Sequence, residues 1–128
     1  MSIAKTHVPF MSHCRIDGEE APAGTARVRV AVADPLTNTR GQAHGGLLMT
    51  MLDLALGRAA QSAVTGATSF ATIDMHVSFI APGSGTLVGE GRVVRAGRSL
   101  VFTEGDVRDE TGALVARASA IFRPILPT

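Results

Sequence analysis

The sequence is poor in cysteine, in lysine and in net charge, and each shortage removes a class of function. One cysteine in 128 residues, Cys14, excludes an intramolecular disulfide and a metal site built on thiolates. That usage fits a reducing compartment. Twelve basic residues against eleven acidic ones leave a formal charge of +1. With no basic stripe and no acidic tail, bulk attraction to nucleic acid is not expected. Eleven of the twelve basic residues are arginine and Lys5 is the only lysine. Guanidinium forks suit phosphate or carboxylate contacts, although a GC-rich coding background produces the same bias. Long apolar runs are missing as well. No stretch reaches 18 uncharged apolar residues, and the opening MSIAKTHVPF holds no apolar core of signal-peptide length. The expectation is a soluble cytoplasmic protein with no membrane partner.

Several catalytic signatures are also absent. The histidines His7, His13, His44 and His76 show no ligand-like spacing and there is no H-E-x-x-H, so no metal is expected. No G-x-S-x-G elbow is present, which argues against a serine hydrolase. Gly83-Ser84-Gly85 lacks both the P-loop lysine and the dinucleotide fingerprint.

What is present reads as one domain spanning 1–128, long enough to bury roughly two-thirds of its unfolded surface. Residues 1–22 form an irregular lead-in with one short helix around Phe10 to Arg15. In Gly24 to Ala33, Val28, Val30 and Val32 alternate with Arg27 and Arg29, the pattern of a half-buried strand. Asp34-Pro35 ends it, and Asn38 to Gln42 makes a polar connection. Gly45 to Ala63 reads GGLLMTMLDLALGRAAQSA, with Leu47, Leu48, Met51, Leu52, Ala55, Leu56 and Ala59 at helical spacing. A helix so apolar must be covered by something wide, such as a sheet.

From Thr68 the period changes to two. Thr68 to Ile80 sets Ile73, Met75, Val77 and Phe79 on one side and Thr72, Asp74, His76 and Ser78 on the other. Thr86 to Arg95 and Ser99 to Arg108 flank a hairpin tip at Ala96-Gly97, and Ala113 to Arg123 follows the turn at 109–112. Short links favour antiparallel neighbours. The fold expected is α+β, one buried helix against an antiparallel sheet of about five strands. Exposed edges make a dimer unsurprising.

Asp53 sits within the helix among Leu, Met and Ala. A carboxylate there is desolvated, paired or facing a cleft, or it marks a partly solvated face or a subunit contact. Gly57 and Ala60 leave little bulk on one flank, which suggests room for a ligand. Gly45-Gly46 offers backbone N–H groups at the positive end of the helix, suited to a phosphate or a polarised carbonyl oxygen; a tight entry turn needs the same residues. His44 and Asn38 lie in the entering loop, as hydrogen-bonding groups or as cap and packing. His44 and Asp53 are nine residues apart, about 13 Å along one helix. If both act directly, a second subunit supplies one of them. Arg92, Arg95 and Arg98 surround the hairpin tip as phosphate contacts or as a solvated turn. Met49, Met51, Met75, Phe70 and Phe79 admit either an acyl pocket or plain core.

Asn38, then His44-Gly45-Gly46, then Asp53, followed by the segment TIDMHVSFIAP from Thr72 to Pro82, resembles the hotdog-fold acyl-CoA thioesterases of the phenylacetate-pathway type. The likeness runs over residues 24 to 123, and the later segment from Gly97 to Ala118 looks like the family's closing hairpins. It implies a sheet wrapped around one long helix and sheets that join across a dimer. It also implies sites at the dimer interface and dimers that pair into a homotetramer. Carried over, Asp53 matches the nucleophile or general base, and Gly45 the N–H that polarises the thioester carbonyl. His44 and Asn38 match the positioning residues and Thr72 a hydroxyl near the reacting carbon. Gly57 stands where some relatives carry a further hydroxyl. Arg95 and Arg98 become candidate contacts to the coenzyme A phosphates. The implied substrate is an acyl-CoA, with coenzyme A part of the substrate and no separate cofactor. The rival readings are an acyl-thioester dehydratase or hydratase and a non-catalytic acyl-CoA-binding protein.

Overall fold

The computed structural model describes residues 8–127; Lys5 and His7 lie outside them. Helix α1 (Pro9–His13) and strand β1 (Asp17–Glu19) precede β2 (Thr25–Ala31), a single 3-10 turn (Asp34–Leu36) and helix α2 (Gly45–Ala63). Strands β3 (Ser69–Phe79), β4 (Thr86–Ala96), β5 (Val101–Arg108) and β6 (Leu114–Ile125) complete the chain. All six strands form one antiparallel sheet in the order β1-β2-β4-β5-β6-β3. The five longer strands match the expected sheet. The sixth, β1, lies in the segment read as irregular. Its three residues are too few for periodicity, and it forms because Asp17 to Glu19 pairs with Arg27 to Arg29.

Helix α2 lies across the sheet. All seven residues picked out by helical spacing are buried, joined by Ala60. Met51, Leu52 and Leu56 have no exposed surface, each worth roughly 2 kcal/mol of burial. Small residues permit the close approach. A Cβ on Gly91 of β4 would stand 2.7 Å from the Ala55 carbonyl oxygen, so only glycine lets the sheet touch the helix backbone there. Gly57 does similar work on the other flank, where its missing Cβ leaves 3.2 Å to the Phe122 ring. Part of the room expected beside Gly57 and Ala60 is therefore taken: Ala60 is fully buried and Phe122 of β6 packs over Gly57, which stays half-buried.

The face of the sheet turned away from α2 is polar. Arg27 pairs with Glu90, Arg92 with Glu104, and Arg108 with Asp106. Arg92 thus belongs to a cross-strand ion pair rather than to the hairpin tip. Such exposed pairs contribute little stability each.

The period-two reading of β3 fails at one residue. Register slips between Thr72, opposite Phe122, and Asp74, opposite Ile121, leaving Ile73 as a β-bulge. Thr72 consequently shares the helix-facing side with Phe122, Met75 and Val77, and Ile73 turns outward, 51% exposed. Both residues are on the side opposite to that expected, because alternation read from sequence cannot register an extra residue.

Candidate active site

The loop before α2 is held by its own backbone. His44 N donates to Leu36 O at 2.9 Å and Ala43 N to Gly83 O at 2.8 Å, fixing where the helix starts. Asn38 closes the loop: its Oδ1 accepts from Arg40 N at 2.9 Å and Gln42 N at 3.2 Å, while its own N–H reaches Gln42 O at 2.7 Å. The Asn38 oxygen is thus used by the loop, and its amide NH₂ is the group left to donate.

His44 is the N-cap of α2, and its Nδ1 accepts from Gly46 N at 2.8 Å. An accepting Nδ1 places the proton of a neutral imidazole on Nε2, which then donates outward. A Cβ on Gly46 would lie 3.0 Å from Nδ1, so the second glycine makes way for the imidazole. The first glycine keeps its N–H free. Among the described residues Gly45 N–H has no acceptor, and it sits at the positive end of a 19-residue helix.

Asp53 lies two turns further on, half-buried, and Thr72 Oγ1 donates to its Oδ1 at 2.8 Å. The bulge at Ile73 makes this bond possible by turning Thr72 inward. One carboxylate oxygen is therefore held, and Oδ2 has no partner among the described residues. Because α2 begins at Gly45, eight residues of helix, about 12 Å, separate the free N–H from the carboxylate. One protomer brings together Thr72 with Asp53, and His44 with Gly45, but not the two pairs with each other.

Of the five apolar candidates for an acyl pocket, Met51 is core, and Phe70 and Met75 pack against it. Met49 and Phe79 remain at the surface, 42% and 54% exposed. Arg95 and Arg98 are at the β4–β5 tip and form no ion pair among the described residues. Arg95 lines a shallow cleft of about 570 Å³ with Val94, Leu100 and Phe102. Residue spacing alone missed the bulge at Ile73 and the contact of Phe79 with the helix start.

The Thioesterase superfamily model matches residues 40–116, which contain His44, Gly45, Asp53 and Thr72. The chain belongs to this superfamily. A Halobacterium salinarum protein named as a candidate esterase is 34% identical over 125 residues, covering 89% of this chain and 83% of that protein. Among solved structures, a conserved protein from Pseudomonas aeruginosa superposes with a TM-score of 0.89 at 25% identity, over 98% of this chain and 100% of that one. A Streptococcus mutans protein solved with acetyl-CoA bound has a TM-score of 0.77 at 28% identity, over 85% and 87% of the two chains. The E. coli PaaI protein of the phenylacetic acid degradation operon shares the fold, with a TM-score of 0.88 at 21% identity over 98% and 90%. The architecture is the hotdog fold, with α2 as the helix inside its sheet. No helix among the described residues is long and apolar enough to cross a membrane.

Proposed function

We propose that this thioesterase-superfamily protein hydrolyses acyl-CoA thioesters at sites shared between two subunits. The observation that carries the reading is the hydrogen bond from Thr72 to Asp53 Oδ1, which orients a helix carboxylate and leaves Oδ2 free to react. The Gly45 N–H supplies the complementary group, a donor for the charge that develops on the carbonyl oxygen.

The two halves meet through β3. This strand ends the sheet, and among the described residues its outer edge is unpaired. Asp53 and Thr72 lie toward its start and Gly45 lies beside Phe79 at its finish. An antiparallel pairing of β3 with a second copy brings the start of one strand to the finish of the other. The Asp53 carboxylate then faces the partner's helix start, closing the gap of about 12 Å. Ile73, Phe79 and Ile80 are exposed apolar residues on or next to this edge and would be covered by the pairing. The resemblance extends the assembly to a homotetramer built from such dimers. The whole chain acts as one domain, and a single buried thiol, Cys14, suits the cytoplasm.

In the proposed reaction Asp53 Oδ2 attacks the thioester carbonyl carbon, or takes a proton from a water that does. The carbonyl oxygen gains charge against Gly45 N–H, with His44 Nε2–H and the Asn38 amide as nearby donors. Collapse breaks the carbon–sulfur bond, and water supplies the hydroxyl of the acid and the proton of the thiol. The products are a carboxylic acid and free coenzyme A. The acetyl-CoA bound to the Streptococcus mutans relative supports an acyl-CoA ligand here. Arg95 and Arg98 serve as contacts for its phosphates.

Thiol release over short, medium and aromatic acyl-CoAs tests the reading. Asp53→Asn lowers the rate by at least about 100-fold, the scale of a lost acid–base group, with the thermal midpoint retained. Unimpaired turnover in that variant refutes the role of Asp53, and full activity in a strict monomer refutes the shared site. A dehydratase releases no thiol from saturated acyl-CoAs, and an acyl-CoA-binding protein releases none at all.

A further inference from the structure

Phe79 is a large aromatic side chain that the core does not bury. It ends β3 opposite Ala116 and is 54% exposed. Its backbone is nevertheless anchored, because the next two amides, of Ile80 and Ala81, both donate to Val115 O at 2.8 and 3.1 Å. Its ring reaches α2: two of its atoms lie 3.4 and 3.6 Å from where a Cβ of Gly45 would stand. Apart from adjoining residues and the helix backbone, nothing else among the described residues lies within 4 Å of that point. Among the described residues, then, Phe79 is the side chain beyond the adjoining residues that bounds the space on the Cβ side of Gly45.

We infer that Phe79 determines which acyl groups the site accepts; this rests on the acyl-CoA hydrolase reading. A carbonyl oxygen accepting from Gly45 N–H stands about 3 Å from that nitrogen. An acyl group that extends from there along the Cβ side of Gly45 meets the ring at ordinary contact distance, about 4 Å. A flat apolar wall at that distance accommodates straight or planar acyl groups and crowds a branch on the carbon next to the carbonyl. The ring can turn about its side-chain torsions while the strand stays fixed, so its position rather than the backbone sets the size limit.

The test compares kcat/KM of the intact protein for propionyl-CoA and isobutyryl-CoA, which differ by one methyl branch, in wild type, Phe79→Ala and Phe79→Leu. Thermal midpoints are followed in parallel. Phe79→Ala raises the isobutyryl-to-propionyl ratio by about tenfold, the discrimination one methyl-sized group can provide. Phe79→Leu raises it less. An unchanged ratio, or an equal fall for both substrates, overturns the proposal. Hydrolysis-inert thioether analogues of the same two acyl-CoAs, measured by binding, separate this proposal from the hydrolase reading. Absence of thiol release from wild type refutes hydrolysis. The ratio of thioether affinities then decides the role of Phe79: a shift in Phe79→Ala sustains it and no shift overturns it.

Discussion

From Asp74 to Phe79 the edge strand β3 alternates regularly, with Met75 and Val77 half-buried against the helix and Asp74, His76 and Ser78 outside. Before Asp74 the same strand takes one extra residue, and the alternation is displaced. The regular half ends in Phe79 against Gly45, and the displaced half presents Thr72 to Asp53. Without the bulge, Ile73 would lie toward the helix and Thr72 would face outward. An isoleucine there offers no donor, so the Asp53 carboxylate would be left half-buried without its hydrogen bond. The slip in register at Ile73 thus lets one strand both pack against the helix and orient a reactive group.

Removing the Thr72 hydroxyl is the most direct way to break the difference between the halves. Thr72→Val removes the hydroxyl in place and lowers thiol release by about 10- to 100-fold, the equivalent of one hydrogen bond to a charged group. Deletion of Ile73 restores one alternation along β3 but keeps Thr72 opposite Phe122, on the helix side, and therefore retains most of the activity. A deletion variant as impaired as Thr72→Val would show that the bulge itself, and not only the side that Thr72 faces, orients the carboxylate.

A smaller effect is expected at the other end of the site, where geometry is set by capping. His44→Ala removes the acceptor for Gly46 N–H, which costs about 1 kcal/mol, and lowers the thermal midpoint by a few degrees. Thiol release falls as well, since the variant also loses the Nε2–H donor. An unchanged midpoint in calorimetry would contradict the capping role.

The smallest effect on the chemistry comes from a turn that serves only the fold. Asp109 Oδ1 accepts from the Thr111 hydroxyl at 2.6 Å and from the backbone N–H groups of Thr111 and Ala113. These bonds, the Thr111 hydroxyl foremost, hold its carboxyl below the usual carboxylate range. A folded-state pKa below the unfolded value, about 3.9, means that the contribution is present above that value. It is lost as the pH falls through the lowered one. Asp109→Ala therefore lowers the denaturation midpoint at neutral pH, the gap from wild type closes in strong acid, and thiol release is unchanged. A gap that persists in acid would separate the turn's stability from the charge of Asp109.

Much of this molecule follows from local pattern. The seven apolar positions of α2 are buried because a 3.6-residue period defines one face whatever covers it. Val28 and Val30 are buried for the corresponding reason in a strand. The distance between His44 and Asp53 was also legible, since helix rise is constant. Strand β1 was not legible, because three residues carry no period and form a strand only against β2. Nor was the packing of Phe122 over Gly57, which joins residues 65 positions apart.

The sequence by itself determined the helix, its buried face, the five longer strands and the spacing of the glycine donor from the aspartate. Only the tertiary structure decided that Thr72 faces Asp53, that Gly46 makes way for His44, and that Phe79 stands beside Gly45. Periodicity reports which side of an element is apolar, and that is a property of neighbouring residues. A bulge, a missing Cβ and a ring at van der Waals distance are relations between elements, and their positions are set by pairing and packing across the whole sheet.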